Sequence, residues 1–260
     1  MTKIRSERRG AVAVVTIDNP ARRNAFTPEM RRELTRRMIE HNHAEDVRAI
    51  VITGANGNFC AGADLSRIGV SAAEPTFVQA SENLKDVHHL ARAVALSPKP
   101  VVSAVEGDAF GAGLSIVAAS DVTVVARSAR FGTSFAKIGI VPDMALLHSL
   151  PNRIGVAATR RLILTPTMLS GERAYEIGLA DELVEEGSAL DIAMEHASGL
   201  AQGAPIPIAL AKMALAAGPL TLEQALAYEV MQLPATLASK DSKEGLAAFK
   251  ERRPPRFVGN

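Results

Sequence analysis

The sequence has 260 residues, 47% hydrophobic and 22% charged, the balance of a globular protein long enough to bury a sizeable core as one large or two small domains. A net charge of +1 excludes a global field toward nucleic acid or an anionic membrane, so a polyanionic ligand has to meet a local cluster of Arg or Lys. The one cysteine, Cys60, excludes an intrachain disulfide; with a charged start free of any apolar signal region and no unbroken apolar stretch of membrane-spanning length, the expectation is a cytoplasmic protein.

Residues 11–18 (AVAVVTID) are apolar and β-branched and predict a strand, ended by Asn19-Pro20 and a polar loop to Ala25. Thr27-Pro28-Glu29 supplies an N-cap hydroxyl, a proline at the first helical position and an acid in the first turn, so a helix is expected to about His43. A strand over 48–53 completes a β-α-β unit. Residues 68–75 are small and polar and read as a mobile loop, and a helix over 77–96 stops at Ser97-Pro98-Lys99-Pro100. Strand 101–105, helix 111–119 and strand 122–126 follow. Beyond Ala129 helices dominate, over 156–164, 171–177, 190–201, 208–216, 222–237 (with Thr221 and Gln224 as a capping box) and 243–252. The pattern is an α/β core followed by a helical C-terminal third.

Two glycine-bearing turns stand about fifty residues apart, Phe59-Cys60-Ala61-Gly62-Ala63-Asp64-Leu65 and Glu106-Gly107-Asp108-Ala109-Phe110-Gly111-Ala112-Gly113-Leu114, each after a short apolar strand. Small residues let a ligand approach the main chain and its N–H groups. Two such turns facing each other can hold a carbonyl oxygen between two amides, an oxyanion hole.

These turns, together with Asn19-Pro20, Asn24-Ala25, Phe131-Gly132, Gly139-Ile140-Val141-Pro142 and the tail from Glu244-Gly245 to Arg253, resemble the crotonase family of enoyl-CoA hydratases and isomerases over nearly the whole chain. The resemblance implies a crotonase-like spiral of β-β-α turns over residues 1–200, and C-terminal helices over 201–260 that build trimers or dimers of trimers. It implies an acyl-CoA thioester as substrate, with coenzyme A a part of that substrate and no separate cofactor. By position in the motifs, Ala61 and Ala112 are the oxyanion donors.

Family hydratases place two glutamates around a water. Here those positions hold Ser115 and Phe135, which take up no proton near neutral pH. Asp143 remains, and the run 135–143 is similar to family isomerases such as the epoxyphenylacetyl-CoA isomerase group. One carboxylate can carry a proton between C2 and C4 of a dienolate, with Phe135 as an apolar wall that excludes water. The expectation is therefore an enoyl-CoA isomerase with Asp143 as proton shuttle. Hydration of an unusual enoyl-CoA and silent acyl-CoA binding are the alternatives, and Asp143 as a helix cap is the structural one.

For the coenzyme A moiety the candidates are Arg22, Arg23, Ala63, Asp64, Leu65 and Arg67, with Phe249 and Arg252 matching a C-terminal position that reaches a neighbouring subunit's ligand in the family. Asp64 alternatively orders its own turn. Met144 is a candidate for the acyl pocket, and His88 and His89 read as a solvated helix face within reach of it. Glu106 reads as structural, and Cys60 as a buried small residue without a base. His41 and His43 share no helix face, so no metal is expected. A Ser115–His148 hydrolase pairing lacks the closing glycine of a nucleophile elbow. The second turn does not fit G-x-G-x-x-G.

Overall fold

The computed structural model describes residues 3–67, 76–165 and 167–260; the loop expected at 68–75 lies outside them. A six-stranded sheet runs β1 (Lys3–Arg9), β2 (Val12–Asp18), β3 (Ala49–Gly54), β4 (Val101–Val105), β6 (Val122–Ala126), β9 (Glu182–Val184). Only β1 is antiparallel to its neighbour; every other pairing in the sheet is parallel. A second, three-stranded sheet runs β5 (Asp108–Phe110), β7 (Arg130–Gly132), β8 (Met168–Ser170).

The large sheet is covered on both faces, which is why its central strands are continuous apolar runs. Alternate residues diverge. Val15, Ile17, Ile50 and Ile52 enter the main core with Met30, Leu34 and Met38 of α1 (Pro28–His43) and Leu90 and Val94 of α2 (Phe77–Ala95). Val12, Val14, Val51, Val102 and Ala104 pack instead on Ala189, Ala193 and Ala197 of α6 (Ala189–Ala201). The Thr27 hydroxyl accepts from Met30 N at 3.2 Å, and a capping box at Thr76 and Gln79 starts α2.

The second sheet fixes the site. Cys60 bridges Ala109 of β5, and Ala109 pairs with Phe131 of β7, so three segments about 50 and about 20 residues apart stack in register. The chain leaves each layer through a turn: residues 61–65 after Cys60, α3 (Ala112–Ala119) after β5, and the 3-10 turn Ala136–Ile138 after β7. This succession of strand, strand and helix is the expected spiral.

The structure adds elements the sequence did not announce. β1 carries one buried residue, Ile4, so its charged sequence conceals an edge strand. β5, β7, β8 and β9 have three residues each, too short for a period to show. α4 (Leu146–Leu164) is two helical segments joined across Gly155, whose φ 75° and ψ 162° are not helical; the second segment is the helix expected from 156, and the first, which carries Pro151, was not expected. α5 (Gly171–Glu176) is as expected, while α7 (Pro205–Ala216) starts three residues earlier on Pro205. α8 (Leu222–Leu237) is capped by Thr221 as expected and has no buried residue; α9 (Lys240–Glu251) starts three residues earlier, on the Ser239 cap. Among the described residues no single helix is long and apolar enough to cross a membrane.

Candidate active site

The two glycine turns meet. Cys60 N donates to Asp108 O at 2.8 Å, and Phe110 N to Cys60 O at 2.9 Å, which locks the first turn to β5. A Cβ on Gly62 (φ 96°) would stand 3.0 Å from Phe110 O and 3.8 Å from Ala112 N. One on Gly113 would stand 2.3 Å from Cys60 O, so contact of the two turns requires both glycines.

The hydrogen bonds correct one expected donor. Ala61 N–H donates to Arg23 O at 3.0 Å, so it is already engaged in holding the loop after β2. That loop is rigid: Asn24 Nδ2 donates to Ala55 O (2.8 Å) and Asn58 O (2.6 Å), and Asn24 Oδ1 accepts from Asn19 N (2.8 Å). Phe26 N donates to Gly62 O at 2.8 Å and accepts at its carbonyl from Asp64 N at 2.9 Å. The bridge leaves Ala63 N–H, exposed at the tip of the turn, with no partner among the described residues. Ala112 opens α3, and its N–H has no carbonyl one helical turn back. Ala63 and Ala112 are thus the two unspent amides flanking the contact, and the helix N-terminus adds positive potential at Ala112.

Asp143 lies between the third layer and α4. It does not cap the helix: the N-cap is Ala145, with no side-chain cap bond. Met144 (φ 51°) and Ala145 (φ 56°) are both left-handed, a strained pair for residues with Cβ, and they turn the chain into α4. Asp143 itself is half-buried, and its chain neighbours Met144 and Leu146 are buried. Burial pushes its carboxyl above the ordinary carboxylate range; Arg31, its own backbone N–H and His88 pull part of that back. Phe135 is buried, with its ring edge 3.9 Å from the position a Cβ on Gly111 would take, and so walls the second turn.

The alternative chemistries lose their parts. Ser115 is buried and its hydroxyl donates to Gly111 O at 3.1 Å, while His148 Nε2 bonds Ala216 O at 2.8 Å, so the two form no pair. Burial pushes the Cys60 thiol up to about 12, which keeps it protonated and inert. Glu106 Oε1 accepts from Gly187 N (3.0 Å) and Ala189 N (3.1 Å) and holds the start of α6.

The expected coenzyme A residues separate into groups. Arg22, Ala63 and Leu65 are exposed beside the first turn. Arg23 Nη1 pairs at 2.6 Å with the fully buried Asp108, which also takes Arg130 at 2.7 Å, so Arg23 has a structural partner. Asp64 Oδ1 accepts from Ser66 N (3.1 Å) and Ser66 Oγ (2.6 Å) and orders its own turn. Arg67 ends the 3-10 turn Leu65–Arg67. Phe249 and Arg252 lie exposed on α9 and at its C-cap, on the C-terminal helical surface that includes α8. Sequence reasoning missed Arg31, which reads as one of several arginines on an exposed helix face. Its spacing from Leu34, Thr35 and Met38, all buried, is the sign that it faces inward.

A spiral of stacked strand, strand and helix layers followed by C-terminal helices is the crotonase fold, and the family model described as enoyl-CoA hydratase/isomerase matches residues 7–260. The chain belongs to that family. It is 33% identical over 249 residues to 1,2-epoxyphenylacetyl-CoA isomerase of Escherichia coli, covering 95% of both chains. It is 36% identical to a probable enoyl-CoA hydratase of Rhodobacter capsulatus, covering 98% of both. The crystal structure of an enoyl-CoA hydratase from a Polaromonas species superposes with a TM-score of 0.91 at 32% identity, covering 98% of this chain and 99% of that one.

Proposed function

We propose that the chain is an enoyl-CoA isomerase in which Ala63 and Ala112 hold the thioester oxygen and Asp143 moves one proton. The carboxylate removes a proton from C4 or C2, and the electron pair delocalises onto the thioester oxygen as a dienolate held by the two amides. The carboxylic acid so formed returns the proton to the other carbon. Substrate and product have the same composition, and no water is consumed.

One observation carries this reading. The two positions that hold glutamates in family hydratases hold a spent Ser115 and an apolar Phe135, while Asp143 keeps a carboxyl with raised proton affinity in a half-buried pocket. Similarity to an isomerase at 33% identity supports it. Hydration is the second reading, favoured by the 36% identity to a probable hydratase and by the polar Arg31 and His88 beside Asp143. The test is Asp143→Asn, which keeps shape and hydrogen bonding and removes the base. Turnover of enoyl-CoA should fall by at least about a thousandfold, with the Kd for a saturated acyl-CoA within about threefold of native. Unchanged turnover would remove Asp143 from the mechanism.

We also infer a homo-oligomer, a trimer or a dimer of trimers. Leu222, Leu226, Val230, Leu233 and Leu237 recur at helical spacing along α8, all at least 40% exposed, an apolar stripe that one chain leaves uncovered. In such an assembly Phe249 and Arg252 approach a neighbour's ligand.

A further inference from the structure

The carboxylate of Asp108 has no part in the chemistry described so far. It opens β5, is fully buried, and meets two exposed arginines. Arg23 Nη1 donates to its Oδ2 at 2.6 Å, and Arg130 donates to its Oδ1 from Nε at 2.9 Å and from Nη2 at 2.7 Å. Arg130 stands opposite Asp108 in the register of β7, so that pair stays within the second sheet. Arg23 comes from the loop after β2, 85 residues earlier, so its pair ties that loop to the sheet.

The tied loop is the one that grips the first turn. Arg23 O accepts from Ala61 N, Phe26 N donates to Gly62 O, and Phe26 O accepts from Asp64 N. The Gly62 carbonyl and the Ala63 N–H belong to one trans peptide, in which the two point in opposite directions. Holding the carbonyl toward Phe26 therefore aims the Ala63 N–H away from the loop. Arg23 (φ 46°) and Asn24 (φ 61°) are both left-handed, a conformation that residues with Cβ keep only where surrounding contacts enforce it. The Asn24 side chain supplies one set of those contacts, and the pair of Arg23 with Asp108 supplies another.

We propose that Asp108 is a positioning residue of the oxyanion hole, acting through Arg23 to keep residues 22–26 clamped on the first turn and the Ala63 N–H on the thioester oxygen. The proposal rests on the acyl-CoA reading above and adds a residue to that same site. A buried carboxylate needs its cations, and a guanidinium reaching it from a loop fixes the direction of the attachment. Oxyanion donors act by being in place before the charge develops, so a small misplacement of one amide costs rate far more than binding.

The two arginines provide the test. Arg23→Ala and Arg130→Ala each take one cation from the same carboxylate, so both should lower the melting temperature; only Arg23→Ala releases the loop. Turnover of enoyl-CoA should fall at least about tenfold in Arg23→Ala and stay within about threefold of native in Arg130→Ala, with the Kd for butanoyl-CoA within about threefold of native in both. Arg23→Lys keeps a cation for Asp108 and should hold turnover within about threefold of native. Infrared spectra of bound butanoyl-CoA, labelled with carbon-13 at the thioester carbonyl, read the hole itself. The carbonyl stretch should be lowered in the native protein and in Arg130→Ala, and should move back toward that of free butanoyl-CoA in Arg23→Ala. Should either alanine variant fail to fold, the glutamine variant takes its place under the same criteria. Native turnover and carbonyl frequency in Arg23→Ala, equal losses of turnover in the two variants, or a raised Kd with unchanged kcat would overturn the proposal and leave the acyl-CoA reading standing. A native protein that binds no butanoyl-CoA, or binds it without lowering the carbonyl stretch, overturns both.

Discussion

At Asp143 two physical effects oppose each other. Burial disfavours the carboxylate, and Arg31, the residue's own N–H and His88 favour it, with burial the larger. The sign of the pH dependence follows. The base form is the active one, so kcat/KM should fall as pH drops through the free enzyme's raised value, on an acidic limb above the ordinary 3.8 of an aspartate. A pH–rate profile with no acidic limb, or a limb retained in Asp143→Asn, would contradict the assignment. The sequence showed that Asp143 was available and that Ser115 and Phe135 were not, because residue type alone decides who can carry a proton. It did not show which amide of the first turn is free. Ala61 and Ala63 are both small and two apart, and only the bond from Ala61 N to Arg23 O tells them apart. That bond depends on a loop whose conformation is set by Asn24, through one local partner, Asn19, and two long-range ones, Ala55 and Asn58.

Among the elements, α3 is where geometry most directly becomes chemistry. Its first residue supplies an amide that the helix itself does not use, and proline is tolerated at that position. Ala112→Pro should therefore leave the circular dichroism spectrum unchanged while lowering kcat by about a hundredfold or more, the usual effect of deleting one oxyanion donor. A fully active Ala112→Pro enzyme would take this amide out of the hole. Strands β2, β3, β4 and β6 could be read from sequence because burial on both faces demands unbroken apolar runs. The second sheet could not, because its strands have three residues and its register joins Cys60, Ala109 and Phe131 across long sequence separations. Yet that register is what brings the turns together. The first half of α4 was hidden for another reason: Pro151, ordinarily a stop signal, is accommodated within it, while Gly155 does break the helix as its residue type suggests.

For the whole molecule, the apolar stripe of α8 sets the expected state of assembly. Val230, 75% exposed, sits in the middle of that stripe. Val230→Asp would bury a charge in an interface but costs little on a solvated surface. Light scattering should show native protein as a trimer or its multiple and Val230→Asp as a smaller species; a native monomer would contradict the assembly. The isomerase reading requires a reaction that consumes no water, and the hydratase reading requires one that does. The most direct measurement is turnover of an enoyl-CoA in oxygen-18 water, followed by mass spectrometry of the product thioester. The account predicts a product of unchanged mass with a displaced double bond and no heavy oxygen. A 3-hydroxyacyl-CoA carrying oxygen-18 would contradict it and make the chain a hydratase.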